Sequence, residues 1–565
     1  MIRYNGPDGK ITKIYPLSTG DIEIYELPYD GKYEWREELK DFSSTWSPLC
    51  WRDHSVRQWW FPNCCESAYQ FGAPLLSVID ADDRNNITVS LSDSVFRSKL
   101  TASVADLDQT DELILTVTTE QGGIRQQKDR RVLLRVDRRK INWCDAVFEA
   151  GEWMRSFLRV TVKIPDNARL PLYSSWYNFH QEPEQDLLEK ELELAAKIGF
   201  KTFILDDGWQ FEGNNTGDYD KCGDWHVAKD KFPDFKSFCD KVHSLGLKML
   251  VWFPVPFAGF DSNDYKRFKD KMAFDRPDFR AGVLDVRYKE IREYIIGVYK
   301  RMRSDYGIDG LKLDFIDAFK ADPSEIAPYN EGMDTENLDE AVRILMDEIY
   351  AEMTALDPDF LFEFRQNYIG AEIVNHCNML RVADCAADSV TNRIGIAPLR
   401  LVNAKTAIHS DMLLWGHNES PLNCQRQLLN VLFSVPQISV RLTEIPEKQL
   451  LTLKNFVRYW TENREILLDG KFRAVHPDAN YTSMSAEGED KKITVLYYGA
   501  VFEPCGKRED VFNNTSEDHI VSTGGKPFSY QIHDLYGSVT EEGYSNGRPE
   551  KFPVPRGGMI SIEPN

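Results

Sequence analysis

The chain has 565 residues and a formal net charge of −22, from 68 basic and 90 acidic residues. That balance argues against nucleic acid or an anionic membrane as the main partner, since phosphate binding calls for a basic surface, and it favours a neutral or cationic ligand. At ~150 residues per domain the length implies three or four domains, and no apolar run approaches the ~20 residues of a membrane helix.

Met1 to Asp8 carry no apolar signal-peptide core. The ten Cys, among them the adjacent Cys64 and Cys65, show neither CxxC nor metal-ligand spacing. The expectation is a reducing cytoplasm, free thiols, no metal and no other cofactor. Residues 1–165 alternate in short runs broken by turns. Leu113–Thr119 and Arg131–Val136 read as strands and Asp82–Asn86 as a turn, so an N-terminal β-sandwich is expected. Trp46, Trp51, Trp59 and Trp60 fall here, and core packing is preferred for them over an interface or pocket.

Residues 166–470 alternate strand and helix. Strands are expected at Leu172–Trp176, Thr202–Asp206, Lys248–Phe253, Gly310–Asp314, Phe360–Phe364, Met379–Asp384, Met412–Trp415 and Gln437–Arg441. Asp186–Ile198 and Asn337–Leu356 repeat apolar residues at helical spacing. Eight such strands over this length predict a (β/α)8 TIM-like barrel. An open doubly wound sheet is the alternative, but no G-x-G-x-x-G turn follows a strand. Residues 471–565 return to β, with strands at Lys492–Tyr498 and Gly557–Ile562, and are expected to form an antiparallel domain.

Chemistry-bearing residues gather at the C-terminal ends of these strands, where barrel sites form. Asp314 and Asp384 close two of them. Two carboxylates on separate strand ends fit a retaining glycosidase, which needs an ionised nucleophile and a proton donor. Lys312 lies on the same strand face as Asp314 and is expected to lower its pKa. Asp384 is expected to have a raised pKa, with Asp388 as competitor and Arg381 orienting the pair. Asp206-Asp207 reads as a clamp for a sugar diol, against the bland reading of a helix cap and a solvated loop. No HxH, HExxH or G-x-S-x-G occurs, which disfavours a metal-dependent barrel hydrolase and a serine hydrolase.

Leu205-Asp206-Asp207-Gly208-Trp209, Gly223-Asp224-Trp225, Phe232-Pro233, Leu245-Gly246-Leu247-Lys248, Lys312-x-Asp314 and Arg381-x-x-Asp384 resemble glycoside hydrolase family 36, the α-galactosidase family related to family 27. The resemblance implies a retaining mechanism with Asp314 as nucleophile and Asp384 as acid/base. It places Asp206 and Asp207 at the 4- and 6-hydroxyls of a galactose-like ring, and Lys312 and Arg381 on ring hydroxyls. Trp176, Trp209 and Trp252 would shape the pocket, and Asp411 lies in a stretch similar to family 27.

One segment departs from the family. Where many members carry Cys-Ser-x-Gly-Gly, this chain reads Phe362-Glu363-Phe364-Arg365-Gln366-Asn367-Tyr368. Glu363 and Arg365 therefore join the candidate substrate contacts, and Arg is a bulky bidentate donor. The partner implied is a small-molecule or oligosaccharide α-glycoside. Galactose is the default, with N-acetylgalactosamine, an acidic sugar or another pyranose as alternatives. Transglycosylation on the same scaffold, and a non-catalytic carbohydrate-binding protein, stand as rival functions. A homo-oligomer is compatible with all of them.

Overall fold

The computed structural model describes residues 2–6, 10–28, 31–38, 40–95, 97–105, 112–120, 132–158, 161–213 and 217–564. Arg131, placed on a strand by sequence, lies outside them. The N-terminal part is two facing sheets. One has six strands, with Ile2–Asn5, Gly31–Glu38, Glu112–Glu120 and Arg97–Ala105 as its inner members; the other has five, centred on Val132–Asp137, Asn85–Leu91 and Leu75–Ile79. Alternating side chains such as Tyr33, Trp35, Leu113, Leu115, Val117, Leu134 and Val136 fill one core between them, as a sandwich requires. Trp46 is buried in the core shared with the barrel rather than between these sheets, and Trp59 and Trp60 are exposed. These two are surface residues rather than the core residues expected.

The barrel strands are β1 (Leu172–Ser174), β2 (Thr202–Leu205), β3 (Lys248–Pro254), β4 (Gly310–Asp314), β5 (Leu361–Arg365), β6 (Met379–Arg381), β7 (Ala407–His409) and β8 (Gln437–Ile438). All pair in parallel in the order β7-β6-β5-β4-β3-β2-β1-β8. Single bridges, His409 to Val435 and Leu413 to Ile438, nearly close the ring. Most strand residues are buried on both faces, which is why they read as continuous apolar runs.

Two expectations fail here. The sixth strand stops at Arg381, so Asp384 sits on the loop beyond it. The seventh is Ala407–His409, not Met412–Trp415. Met412, Leu413 and Trp415 are buried in a packed loop, where the Trp415 indole donates to Gln449 Oε1 at 3.1 Å. An apolar run bounded by turn residues cannot be told from a strand by composition alone.

The longer helices are α1 (Trp143–Arg155), α2 (Gln185–Ile198), α3 (Phe235–Ser244), α4 (Lys289–Tyr306), α5 (Leu338–Leu356), α6 (Ser389–Val402), α7 (Pro421–Asn430) and α8 (Glu447–Glu462). Helix α1 interrupts the stretch expected to be all β. Its buried face, Trp143, Ala146, Val147, Ala150 and Met154, follows helical spacing, and the Asn142 side chain caps it by accepting from the Cys144 N–H. Trp143 and Trp46 then tie the N-terminal and C-terminal parts of the chain together. The Trp143 indole donates to Ala474 O at 3.1 Å and the Trp46 indole to Tyr481 Oη at 3.0 Å.

A seven-stranded and a three-stranded sheet form the C-terminal part. The expected purely antiparallel domain needs correction, because Lys491–Leu496 pairs in parallel with Arg508–Asn513 and Val501–Phe502 with Ile520–Ser522. Among the described residues no helix is long and apolar enough to cross a membrane.

Gly310 opens β4 where neighbouring strands leave no room. A Cβ there would lie 2.5 Å from Leu361 O and 2.7 Å from Leu250 Cγ. Gly310→Ala is therefore expected to destabilise the fold by about 1–3 kcal/mol through overpacking, read as a lower urea midpoint; an unchanged midpoint would contradict the tight strand approach.

Candidate active site

Strand register builds the site. Lys312 on β4 is level with Trp252 on β3 and Glu363 on β5. Arg365 on β5 is level with Arg381 on β6. Side chains two apart share a strand face, so Lys312 with Asp314, and Glu363 with Arg365, form two adjacent inward columns.

Asp314 is buried and fully engaged. Its Oδ1 accepts from Arg365 Nε at 2.6 Å and from the Phe315 N–H at 2.7 Å, and its Oδ2 from the Trp252 indole at 3.1 Å. Burial pushes its pKa up, but Arg365, then Lys312 and Arg381, outweigh that and hold it well below the usual carboxylate range. The cation in contact is thus Arg365, not the Lys312 expected from sequence. Lys312 Nζ instead reaches across to Asp206 Oδ2 at 2.6 Å. Arg365 also lies 3.2 Å from Asp317.

Asp384 is the most open of the group, with 55 % of its side chain exposed at the rim. Its Oδ1 accepts from Arg381 Nη1 at 2.8 Å. The surrounding wall and the Asp314 charge push its pKa up, but Arg381 prevails and the pKa is lowered. The expected rise is therefore absent in the unliganded protein. With so much of the side chain in water, the cation contact is the cause that governs.

Asp388, the competing candidate, is engaged elsewhere. It caps α6, accepting from the Thr391 N–H at 2.9 Å, and pairs with Arg52 at 3.0 Å. Both oxygens serve structure.

Arg381 is fully buried and binds Asp411 Oδ1 through Nη1, the atom that also reaches Asp384. Its Nε lies 3.4 Å from Glu363 Oε1, an ion pair that misses hydrogen-bond geometry and leaves both atoms without a hydrogen bond. Asp411 lies past the end of β7 rather than at the start of a strand. Its Oδ2 accepts from Tyr177 Oη at 2.9 Å and from the Cys385 N–H at 2.7 Å. It thereby anchors the loop that carries Asp384.

Asp206 and Asp207 do not present a matched pair. Asp206 Oδ1 accepts from the Asp207 N–H and Oδ2 faces Lys312. Each Asp207 oxygen accepts 2.7 Å from a glutamine, Gln181 or Gln210. Burial raises both, Asp207 to about 6. Glu363 is also raised by burial, and its Oε2 accepts from Gln437 Nε2 at 2.6 Å. It sits below the strand ends as a partner for Arg381.

The three tryptophans separate. Trp252 touches Asp314. Trp176 is half-buried just beyond β1, with its ring 5.0 Å from His180. Trp209 is fully buried among Trp225, Phe235 and Phe253 and donates to Trp252 O at 3.0 Å. It supports Trp252 from behind and does not line a pocket, a correction to the sequence expectation.

Sequence reasoning missed Asp317, Tyr177, and Tyr219 with Phe315. Tyr219 packs 6.2 Å from the Trp252 ring and 5.0 Å from the Phe315 ring beside Asp314. Only Asp317, one helical turn past Asp314, left a trace in the sequence. Among the described residues no group of three or more His, Cys, Asp or Glu could hold a metal ion.

Residues 150–367 match the family model described as melibiase. The α-galactosidase Mel36A of Lactobacillus acidophilus is 32% identical over 158 residues, covering 27% of this chain and 21% of that protein. An α-galactosidase of Escherichia coli is 26% identical over 160 residues, covering 27% and 22%. The chain thus spans about a fifth of the curated relatives it matches. The crystal structure of an α-galactosidase from Lactobacillus brevis superposes with a TM-score of 0.65 at 13% identity, covering 100% of this chain and 88% of that one. A variant of the family 36 α-galactosidase AgaA from Geobacillus stearothermophilus, in complex with raffinose, gives 0.63 at 13% identity, with 100% and 89% covered. These structures share the fold. The melibiase match spans the strands that carry Asp206, Lys312 and Asp314, and in that stretch the chain is similar to the α-galactosidases of glycoside hydrolase family 36.

Proposed function

We propose that the chain is a retaining α-glycoside hydrolase that removes terminal α-linked galactose. The observation that carries this is Asp314, a buried carboxylate kept ionised by Arg365 at the end of a barrel strand, with the more open Asp384 close enough to feel its charge. An Asp314 oxygen attacks the anomeric carbon while Asp384 protonates the departing oxygen, giving a β-linked glycosyl ester. Asp384 then takes a proton from water, whose oxygen displaces Asp314, and two inversions retain the α-anomer.

The electrostatics favour this cycle. Asp314 carries a charge that raises the Asp384 pKa. Ester formation removes that charge, so Asp384 holds its proton more firmly before the first step, where it is the acid, and ionises more readily before the second, where it is the base. A bound sugar adds desolvation at Asp384 and supplies the upward push that the free protein lacks.

Carboxylates outnumber cations around the cleft, with Asp206, Asp207, Asp314, Asp317, Glu363, Asp384 and Asp411 against Lys312, Arg365 and Arg381. Arg365 is already matched to two of them. This supports a neutral sugar over an acidic one. The raffinose in complex with the Geobacillus relative is a neutral sugar of this kind. Transglycosylation and N-acetylgalactosamine would use the same carboxylates, and a panel of aryl α-glycosides with water or sugar as acceptor separates them. Exposed Trp59, Trp60 and Phe61 support a homo-oligomer, and ten free cysteines support a reducing cytoplasm.

Asp314→Ala is expected to abolish hydrolysis of an aryl α-galactoside in a folded protein. Asp384→Ala is expected to lose more on natural sugars than on aryl substrates, whose leaving groups need little protonation; equal losses on both would remove the acid/base role. Asp388→Ala should keep turnover yet cost about 0.5–2 kcal/mol of stability as a lost helix cap, measured by urea unfolding. Lost turnover at unchanged stability would reverse the assignment of Asp384 and Asp388.

A further inference from the structure

A cavity of about 480 Å³ opens at the end of the barrel opposite the candidate active site. Arg169, just before β1, and Thr406 and Ala407, where β7 begins, lie on its wall. Asp314 closes the far end of its strand and Asp384 lies beyond the far end of another. Helix α1, the end of α6, the helix Arg464–Asp469 and the strand Lys471–Val475 supply further walls. The volume suits a small molecule.

The chain is strongly acidic, yet this cavity is basic. Five cations line it, Arg169, Arg400, Lys405, Lys471 and Arg473. Only two carboxylates, Asp145 and Asp469, share the wall. Arg169 takes Asp469, and Arg473 takes Asp145 at 2.6 Å. Lys471 stands 3.5 Å from the same Asp145, and Lys405 stands 3.9 Å from Glu152. Both lysines are largely in water, where such loose pairs contribute little.

Arg400 is the decisive group. It is buried, and among the described residues it pairs with no carboxylate. Its Nη1 donates to Phe433 O at 3.1 Å and to Leu467 O. Nε and Nη2 make no hydrogen bond, yet neither belongs to the sealed interior atoms that lack a partner. Both therefore keep surface on the cavity that Arg400 lines. Burial pushes the Arg400 pKa down to about 10, with Asp469 opposing the shift and Arg169 adding to it. A buried guanidinium without a countercharge is costly. Its Nε and Nη2 edge is the fork that grips two oxygens of one oxyanion. The two carbonyl contacts use a single nitrogen and account for neither that edge nor the lysines.

Three cations, Arg400, Lys405 and Lys471, thus lack a full partner. A carboxylate would bring one charge, whereas a phosphate monoester brings about −1.5 to −2 and three acceptor oxygens. Phe148, Leu401, Leu468 and Phe472 continue the wall beside the cations. Inorganic phosphate would leave that apolar surface uncovered.

We propose that this cavity binds a small organic phosphate monoester, its phosphate on Arg400 with Lys405 and Lys471, and its organic body against Phe148 and Phe472. The site is separate from the catalytic cleft and stands whether or not the protein is a hydrolase. An occupant touches α1, α6 and the C-terminal strand at once, so binding stabilises the fold by mass action.

The test is calorimetric titration of the full chain with phenyl phosphate, with inorganic phosphate and benzoate as comparisons. Phenyl phosphate is expected to bind, to raise Tm, and to bind at least about fivefold more tightly than either comparison. Lys405→Ala and Lys471→Ala are each expected to weaken it about two- to fivefold, and Arg400→Gln more than about tenfold. No binding, equal affinity for inorganic phosphate or benzoate, or unchanged affinity in both lysine variants overturns the proposal. Arg400→Gln also loses its carbonyl anchors, and the lysine variants decide the matter if it fails to fold. Excess galactose is expected to leave the titration unchanged; displacement would put the phosphate in the catalytic cleft and overturn the cavity.

Discussion

One contact between neighbouring strands sets the character of the site. Arg365 on β5 reaches the Asp314 carboxylate on β4 at 2.6 Å, in surroundings whose burial pushes its pKa up. Burial raises Asp206, Asp207, Glu363, Asp317 and Asp411 in the same cleft. Asp314 is lowered because it has a guanidinium in contact, an indole N–H on its other oxygen and two further cations nearby. A carboxylate held below its unfolded value of 3.8 stabilises the fold above that pH, and the contribution is lost as pH falls toward the folded value. The contact therefore serves stability and chemistry together.

The remaining cations divide the acidic excess. Lys312 neutralises Asp206, and Arg381 holds Asp384 and Asp411 through one nitrogen while facing Glu363. Removing one partner of such a buried pair leaves an uncompensated charge, which costs more than the pair itself contributes. Asp411 adds a mechanical role, since its second oxygen holds Tyr177 and the Cys385 N–H and so fixes the Asp384 loop. The loop needs that support because β6 ends three residues before Asp384.

Much of this was legible in the chain. Strands β2, β3 and β4 announced themselves as apolar runs bounded by turns, and the barrel rhythm placed Asp206, Asp314 and Arg365 at strand ends. What sequence spacing could not supply was register between strands. Lys312 sits two residues from Asp314 on the same face, which suggested a direct pair, yet its ammonium belongs to Asp206 across the barrel. Arg365 was legible as a binding residue, but its partner was not. Trp209 looked like a pocket wall because it follows the Asp pair, and tertiary packing turned it inward against Phe235 and Phe253. Met412–Trp415 outweighed Ala407–His409 as a strand because hydrophobicity records burial, not pairing. The Tyr177 contact with Asp411 spans more than two hundred residues and left no local sign.

The central claim is that Arg365 keeps Asp314 ionised. The direct measurement is the acid limb of kcat/KM against pH for an aryl α-galactoside, in the wild type and in Arg365→Gln. Without its guanidinium the carboxylate loses the largest influence opposing burial, so the account predicts that the limb moves to higher pH by a unit or more. A limb that stays where it is in an active, folded Arg365→Gln protein would contradict it.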